Sequence, residues 1–134
     1  MGYAAKSGHM DIVQLMLNLG AIDYNQGMAR AAGGGHMDIV RFMIGKGAND
    51  YNRAMIYAAY GGYIDIVNLM IDISLKKALE GAMDYNKAMD YAAEKGHLDI
   101  IYLMLGKGAK EYGYAQPDIR ILIEEYLEGK KKIL

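Results

Sequence analysis

Between Ala48 and Ile71 the chain reads ANDYNRAMIYAAYGGYIDIVNLMI, and its apolar positions form two short helical patterns joined by Gly61-Gly62. Take Tyr51 as zero on a wheel of about 100° per residue. Ala54, Met55, Ala58 and Ala59 then lie within about 80° of it. Arg53, Tyr57 and Tyr60 fall on the opposite side. Asp50 sits where a carboxylate can accept from the first free amides of a helix, and Gly61-Gly62 sits where the helix must stop. In the second half, Ile66, Val67, Met70 and Ile71 share a broad apolar face. Asp65 lies in its first turn, where the helix dipole favours an anion. The pattern predicts two short antiparallel helices, each too small to bury its apolar face alone.

The same pattern recurs. Ala-Ala pairs stand at Ala4, Ala31, Ala58 and Ala92, spaced 27, 27 and 34 residues apart. Asp-Tyr-Asn begins at Asp23, Asp50 and Asp84, and Asp-Ile pairs begin at Asp11, Asp38, Asp65 and Asp99, with the same spacings. The period is therefore 27 residues, with 7 extra between the third and fourth copies. A fixed period in this range predicts a solenoid, in which stacking neighbours supplies the core. The expected organisation is a single repeat domain over residues 1–134. Its units run over about 1–22, 23–49, 50–83 and 84–111, and the insertion falls near 72–78.

Gly8-His9-Met10-Asp11-Ile12-Val13, Gly35-His36-Met37-Asp38-Ile39-Val40 and Gly96-His97-Leu98-Asp99-Ile100-Ile101 open the second helices. With the Ala-Ala pairs before them and Gly-Ala after them, they resemble ankyrin repeats over nearly all of residues 1–112. The units here are about six residues shorter than the roughly 33 of that family, and its Thr-Pro-Leu-His tetrapeptide is missing. The missing stretch is the one that forms the projecting β-hairpin in ankyrin proteins. The resemblance thus implies an all-α solenoid of stacked antiparallel helix pairs with the hairpin fingers absent or reduced. Tyr24, Tyr51 and Tyr85 are expected to pack where a finger's base would sit. Short units carrying Asp-Tyr-Asn also resemble ankyrin-like arrays of large DNA viruses.

The two ends differ. Copy one begins at Met1, partway into its first helix, without Asp-Tyr-Asn, and its leading face lacks the polar character of a terminal repeat. At the other end Pro117, the only proline, suits the first turn of a helix. Ile119, Leu122, Ile123 and Tyr126 follow with i, i+3, i+4, i+7 spacing. A capping helix over about 117–128 is expected, with Lys130-Lys131-Lys132 as a solvated tail. Seven inserted residues are about two helical turns, so the second helix of unit three can continue in phase by roughly 10 Å. Leu75 and Leu79 would then point away from the core stripe, as a neutral extension or as a contact site.

Composition narrows the chemistry. There is no cysteine, threonine or tryptophan, and serine occurs only as Ser7 and Ser74. Disulfides, thiolate metal sites and most hydroxyl nucleophiles are thereby excluded. The formal net charge is −1, and no basic stripe is evident, so neither nucleic acid nor an anionic membrane is an expected partner. No apolar run approaches the roughly 20 residues of a membrane-spanning helix. Met1-Gly2 opens like an acylation signal, but Lys6 stands where the serine belongs. An intracellular, cytoplasmic protein is expected, in a host cell if the source is viral. His9, His36 and His97 occupy one repeat position, about one helix layer of 10 Å apart, too far to share a metal. The repeated aspartates suit helix N-termini better than acid–base work. Gly45-Lys46-Gly47 and Gly106-Lys107-Gly108 lack the spacing of a phosphate loop and read as helix-ending turns. No catalytic constellation and no cofactor site emerges.

What varies between units is the polar side of the first helix. The residue before each Ala-Ala pair is Tyr3, Arg30, Tyr57 or Tyr91, and the residue after it is Lys6, Gly33, Tyr60 or Glu94. The ankyrin resemblance implies that these positions line a concave groove that contacts partners, and Tyr and Arg are frequent interface anchors. The alternative is that the tyrosines simply cover neighbouring helices. The sequence thus points to a non-catalytic scaffold that binds a protein partner through Tyr3, Arg30, Tyr57, Tyr60, Tyr91 and Glu94, with Leu75 and Leu79 as a further contact. The rival is a structural or self-assembling fragment of a longer array, associating through the N-terminal face.

Overall fold

The computed structural model describes residues 2–20 and 23–133. The described residues form nine α-helices, four pairs and a final one. The pairs are α1 (Gly2–Lys6) with α2 (Met10–Asn18), α3 (Tyr24–Gly34) with α4 (Met37–Gly45), α5 (Tyr51–Gly61) with α6 (Ile64–Lys76), and α7 (Tyr85–Lys95) with α8 (Leu98–Gly106). The last helix is α9 (Pro117–Ile133). Among the described residues there is no strand, so the fingers are absent and tight turns replace them.

Local chemistry sets the helix ends. Asp23, Asp50 and Asp84 each turn a carboxylate oxygen onto the amide three residues ahead, at 2.9, 3.1 and 3.0 Å. This satisfies one of the free donors of α3, α5 and α7. The same helices stop at Gly35, Gly62 and Gly96, all left-handed, with φ of 80°, 86° and 76°. A side chain there would strain the backbone, which is why glycine closes every first helix.

The first helices form one layer in which α3 lies between α1 and α5, and α5 between α3 and α7. Each packs on its own second helix. The Ala-Ala pairs of α3, α5 and α7 are fully buried, as are Met28, Met43, Met55, Met70, Met89 and Met104. Burying such a side chain stabilises by about 1.5–3 kcal/mol each. Approach is closest at Gly34 and Gly61. A Cβ on Gly34 would meet the Lys6 carbonyl, and one on Gly61 would lie 2.7 Å from the Gly33 carbonyl.

A side-chain ladder ties the units together. Asn25 Oδ1 accepts from the amides of Asn49 and Asp50 at 2.8 and 2.9 Å. Asn52 accepts from Asp84 N at 2.7 Å, and Asn86 from Lys110 N at 2.6 Å. The asparagine of each Asp-Tyr-Asn therefore holds the loop that follows the next unit's preceding turn. The tyrosine beside it packs as expected: Tyr51 is buried and Tyr24 and Tyr85 lie partly buried against the core.

Two expectations about length are corrected. The insertion does not prolong the second helix by two turns. Helix α6 has 13 residues where α4 and α8 have 9, and the rest forms a 3-10 turn at Glu80–Ala82. The stop comes early because Ala78 adopts a left-handed φ of 56°, with Ala78 and Leu79 amides donating to Leu75 and Ser74 carbonyls. The glycines Gly47 and Gly108 close α4 and α8 in the same way. Helix α9 is longer than 117–128, since its backbone stays helical through the lysine run to Ile133. Gly129 costs only about 1 kcal/mol in a helix and does not end it. The side chains of Lys131 and Lys132, like Met1 where unit one opens, lie outside the described residues.

Candidate protein-binding face

The polar side of the first-helix layer gathers the variable residues. Tyr57 and Tyr91 are half-buried against the core, and Tyr60 is exposed beside them. Tyr60 and Tyr91 meet edge to face, with centroids 5.9 Å apart and planes at 85°. Such a pair is favourable beyond its buried area by about 0.5–1.5 kcal/mol. Around these rings lies a hollow of about 440 Å³. Gly33 opens it, because unit two carries no side chain where unit three carries Tyr60. Lys6, Arg30 and Ile56 line its other walls. A second hollow of about 380 Å³ flanks Tyr57 and Tyr91 on the side of Asp50, Arg53 and Lys87.

Cations surround the tyrosines. The Arg30 and Arg53 guanidiniums stand 5.9 and 5.8 Å from the centre of the Tyr57 ring. Lys95 Nζ lies 5.0 Å from that of Tyr60, and Lys87 Nζ 6.0 Å from that of Tyr91. Each is within the reach at which a ring face attracts a positive charge. The nearby carboxylates are partly committed: Asp50 caps α5, and Asp90 accepts from the Tyr114 amide at 3.1 Å. A chain of formal net charge −1 thus carries a locally basic, aromatic face. Linear spacing hid it, because these cations come from three helices, and Lys6 from a fourth. One signal was available: Arg53 precedes Tyr57 by four residues and Lys87 precedes Tyr91 by four, so each pair meets on one helix face.

The remaining candidates do not line this hollow. Tyr3 is exposed on α1 and Glu94 on α7, and neither lines the hollow. Leu75 and Leu79 are exposed around the end of α6 and also lie outside it. The histidines serve the stack. His36 Nε2 lies 2.8 Å from the Lys6 carbonyl and His97 Nε2 3.1 Å from that of Tyr60. A carbonyl can only accept, so the proton sits on Nε2 in both. Among the described residues no three His, Cys, Asp or Glu groups converge as a metal site requires.

The N-terminal face contrasts with the rest. Ile12 is 42% exposed, Leu15 57%, Leu19 78% and Tyr3 83%. No helix of the described residues is long and apolar enough to cross a membrane.

A family model described as "Ankyrin repeats (3 copies)" matches residues 28–112. No curated protein matches the chain.

Proposed function

Because the chain belongs to the ankyrin repeat family, whose repeats are generic protein–protein interaction modules and typically non-catalytic, we propose that it binds a protein partner through the face of Tyr57, Tyr60 and Tyr91. The observation that carries this reading is the convergence of three tyrosines from α5 and α7 around a hollow opened by Gly33. The core-facing side of these helices is mainly alanine and methionine, with Tyr51 and Ile56 added in α5, so the core does not depend on the outer Tyr57, Tyr60 and Tyr91. Arg30 contributes a wall and a charge. Aromatic and arginine side chains in a partly desolvated hollow are the usual anchors of an interface.

The test is affinity capture with the whole chain beside a Tyr57→Ala/Tyr91→Ala variant whose helical content is checked by circular dichroism. A protein captured by the first and lost with the folded variant is expected. Identical capture by both would remove the face from consideration.

A second reading rests on a separate observation. Ile39, Ile66 and Ile100 are fully buried, whereas Ile12 at the same repeat position is exposed, together with Leu15 and Leu19. An apolar patch of this kind suits self-association. Light scattering across concentration reads it directly: mass that grows with concentration and reverts in Leu15→Glu/Leu19→Glu supports assembly, and a constant monomer mass removes it.

A further inference from the structure

We propose that the segment seated on this face is an acidic peptide, with one apolar side chain in the hollow over Gly33 and its carboxylates on Lys6, Arg30, Arg53 and Lys87. The inference rests on the binding-face reading and adds the chemistry of the partner. Charge complementarity selects the sign. These four cations line the two hollows and Lys95 stands over Tyr60 beside them, while Asp50 and Asp90 already accept hydrogen bonds from the chain itself. Opposed potentials steer and orient such a partner.

The tyrosines exclude the obvious rivals. Three aromatic rings can cage a cation, but here the protein's own arginines and lysines stand over them, and a further cation would be repelled. Stacking of single-stranded bases needs free ring faces. Tyr57 has two guanidiniums against it, and Tyr60 meets a lysine and the edge of Tyr91. The hollow is walled by Ile56, the glycines and the tyrosines together with Lys6 and Arg30, so an apolar side chain seats against the rings with two cations beside it for a carboxylate.

Selection from a random linear peptide library displayed on phage tests this with the full chain. The expected binders are acidic with one aliphatic or aromatic residue. Their synthetic, fluorescein-labelled forms should weaken about tenfold or more with Arg30→Glu and with Gly33→Tyr. They should also weaken on raising salt from about 0.1 M to about 1 M, which shortens screening from about 10 Å to about 3 Å. Gly33→Tyr plugs the hollow at little structural cost, since a Cβ there meets only Tyr57, at 3.5 Å or beyond. Arg30→Glu changes an exposed side chain, so the two variants guard against a folding artefact. Binders that weaken with Tyr57→Ala but are neutral or basic would overturn the acidic peptide and leave the face standing. Binders indifferent to Tyr57→Ala, or none at all, would overturn both. Tighter binding of a labelled oligothymidylate, abolished by Arg30→Glu, would overturn the peptide in favour of single-stranded nucleic acid.

Discussion

Ile12 and Ile66 hold the same place in the repeat, yet Ile12 is 42% exposed and Ile66 fully buried. Their local sequences nearly coincide, as Met-Asp-Ile-Val and Ile-Asp-Ile-Val, and both lie in a short helix after a glycine. What differs is the neighbour. Around Ile66 the layer of α3, α5 and α7 is complete, whereas among the described residues nothing covers Ile12, Leu15 and Leu19 of unit one to the same extent. The core therefore belongs to the junctions between units, and periodicity predicts a residue's direction without predicting its burial. Met43, Met70 and Met104 are fully buried and Met16 is not, by the same rule.

The strongest test of this contrast is a matched pair of truncations. Ile66→Ala is expected to lower the free energy of unfolding by about 2–5 kcal/mol, the range for emptying a packed aliphatic site. Ile12→Ala should cost about 1 kcal/mol or less, since much of its surface is already wet. Urea unfolding followed by circular dichroism compares them. Equal losses would mean that the units are stabilised internally.

A second pair divides two adjacent glycines of α3. Gly34→Ala brings a methyl against the Lys6 carbonyl, so α1 and α3 must separate, at a cost of about 1–3 kcal/mol. Gly33→Ala meets only ordinary contact with Tyr57 and should stabilise by about 0.5–1 kcal/mol through a less flexible unfolded chain. Opposite signs in the melting temperature are the expected result. A smaller effect attaches to the asparagine ladder. Asn52→Ala strands the Asp84 amide, which it holds at 2.7 Å, and should cost about 1 kcal/mol. Hydrogen exchange at Asp84 should rise more than exchange in α5, which tells a loosened junction from a loosened helix.

Much of this architecture was legible in the chain, for reasons that name its gaps. Asp50 before Tyr51 and Gly62 after Gly61 set a helix whose ends need no tertiary contact. The Ala-Ala pairs announced close packing because no other residue permits it so cheaply. The insertion was not legible in detail, since Gly81-Ala82 mimics the stop of the other units while Ala78 makes the turn. The ladder role of Asn25, Asn52 and Asn86 was missed although they repeat with the motif, because their partners lie 24 or 32 residues away. The basic character of the tyrosine face was missed because, among Lys6, Arg30, Arg53, Lys87 and Lys95, only Arg53 and Lys87 share a repeat position. They meet only once α1, α3, α5 and α7 are side by side.

The insertion also supplies the smallest expected effect. Tyr85 sits in the Asp-Tyr-Asn of unit four, beside the 3-10 turn that the extra residues create. Its hydroxyl donates to Glu80 Oε1 at 3.3 Å. Its pKa is pushed from an ordinary 10.0 up to about 12, first by burial, then by the charge of Glu80 and the hydrogen bond to it. Raising a phenol's pKa on folding means that the folded chain holds the proton more tightly. The associated stability is complete below about pH 10 and is lost as pH climbs through about 12. The Lys107 ammonium lies 3.8 Å from Glu80, but Glu80 is exposed, so solvent screens the pair and it does little to offset this. Glu80→Gln should bring the Tyr85 titration down only part of the way, because burial, the larger cause, remains. Phenolate absorbance against pH, with Tyr85→Phe to assign the transition, measures the shift. A return to the ordinary value in Glu80→Gln would make the carboxylate of the insertion, and not the repeat packing, the cause.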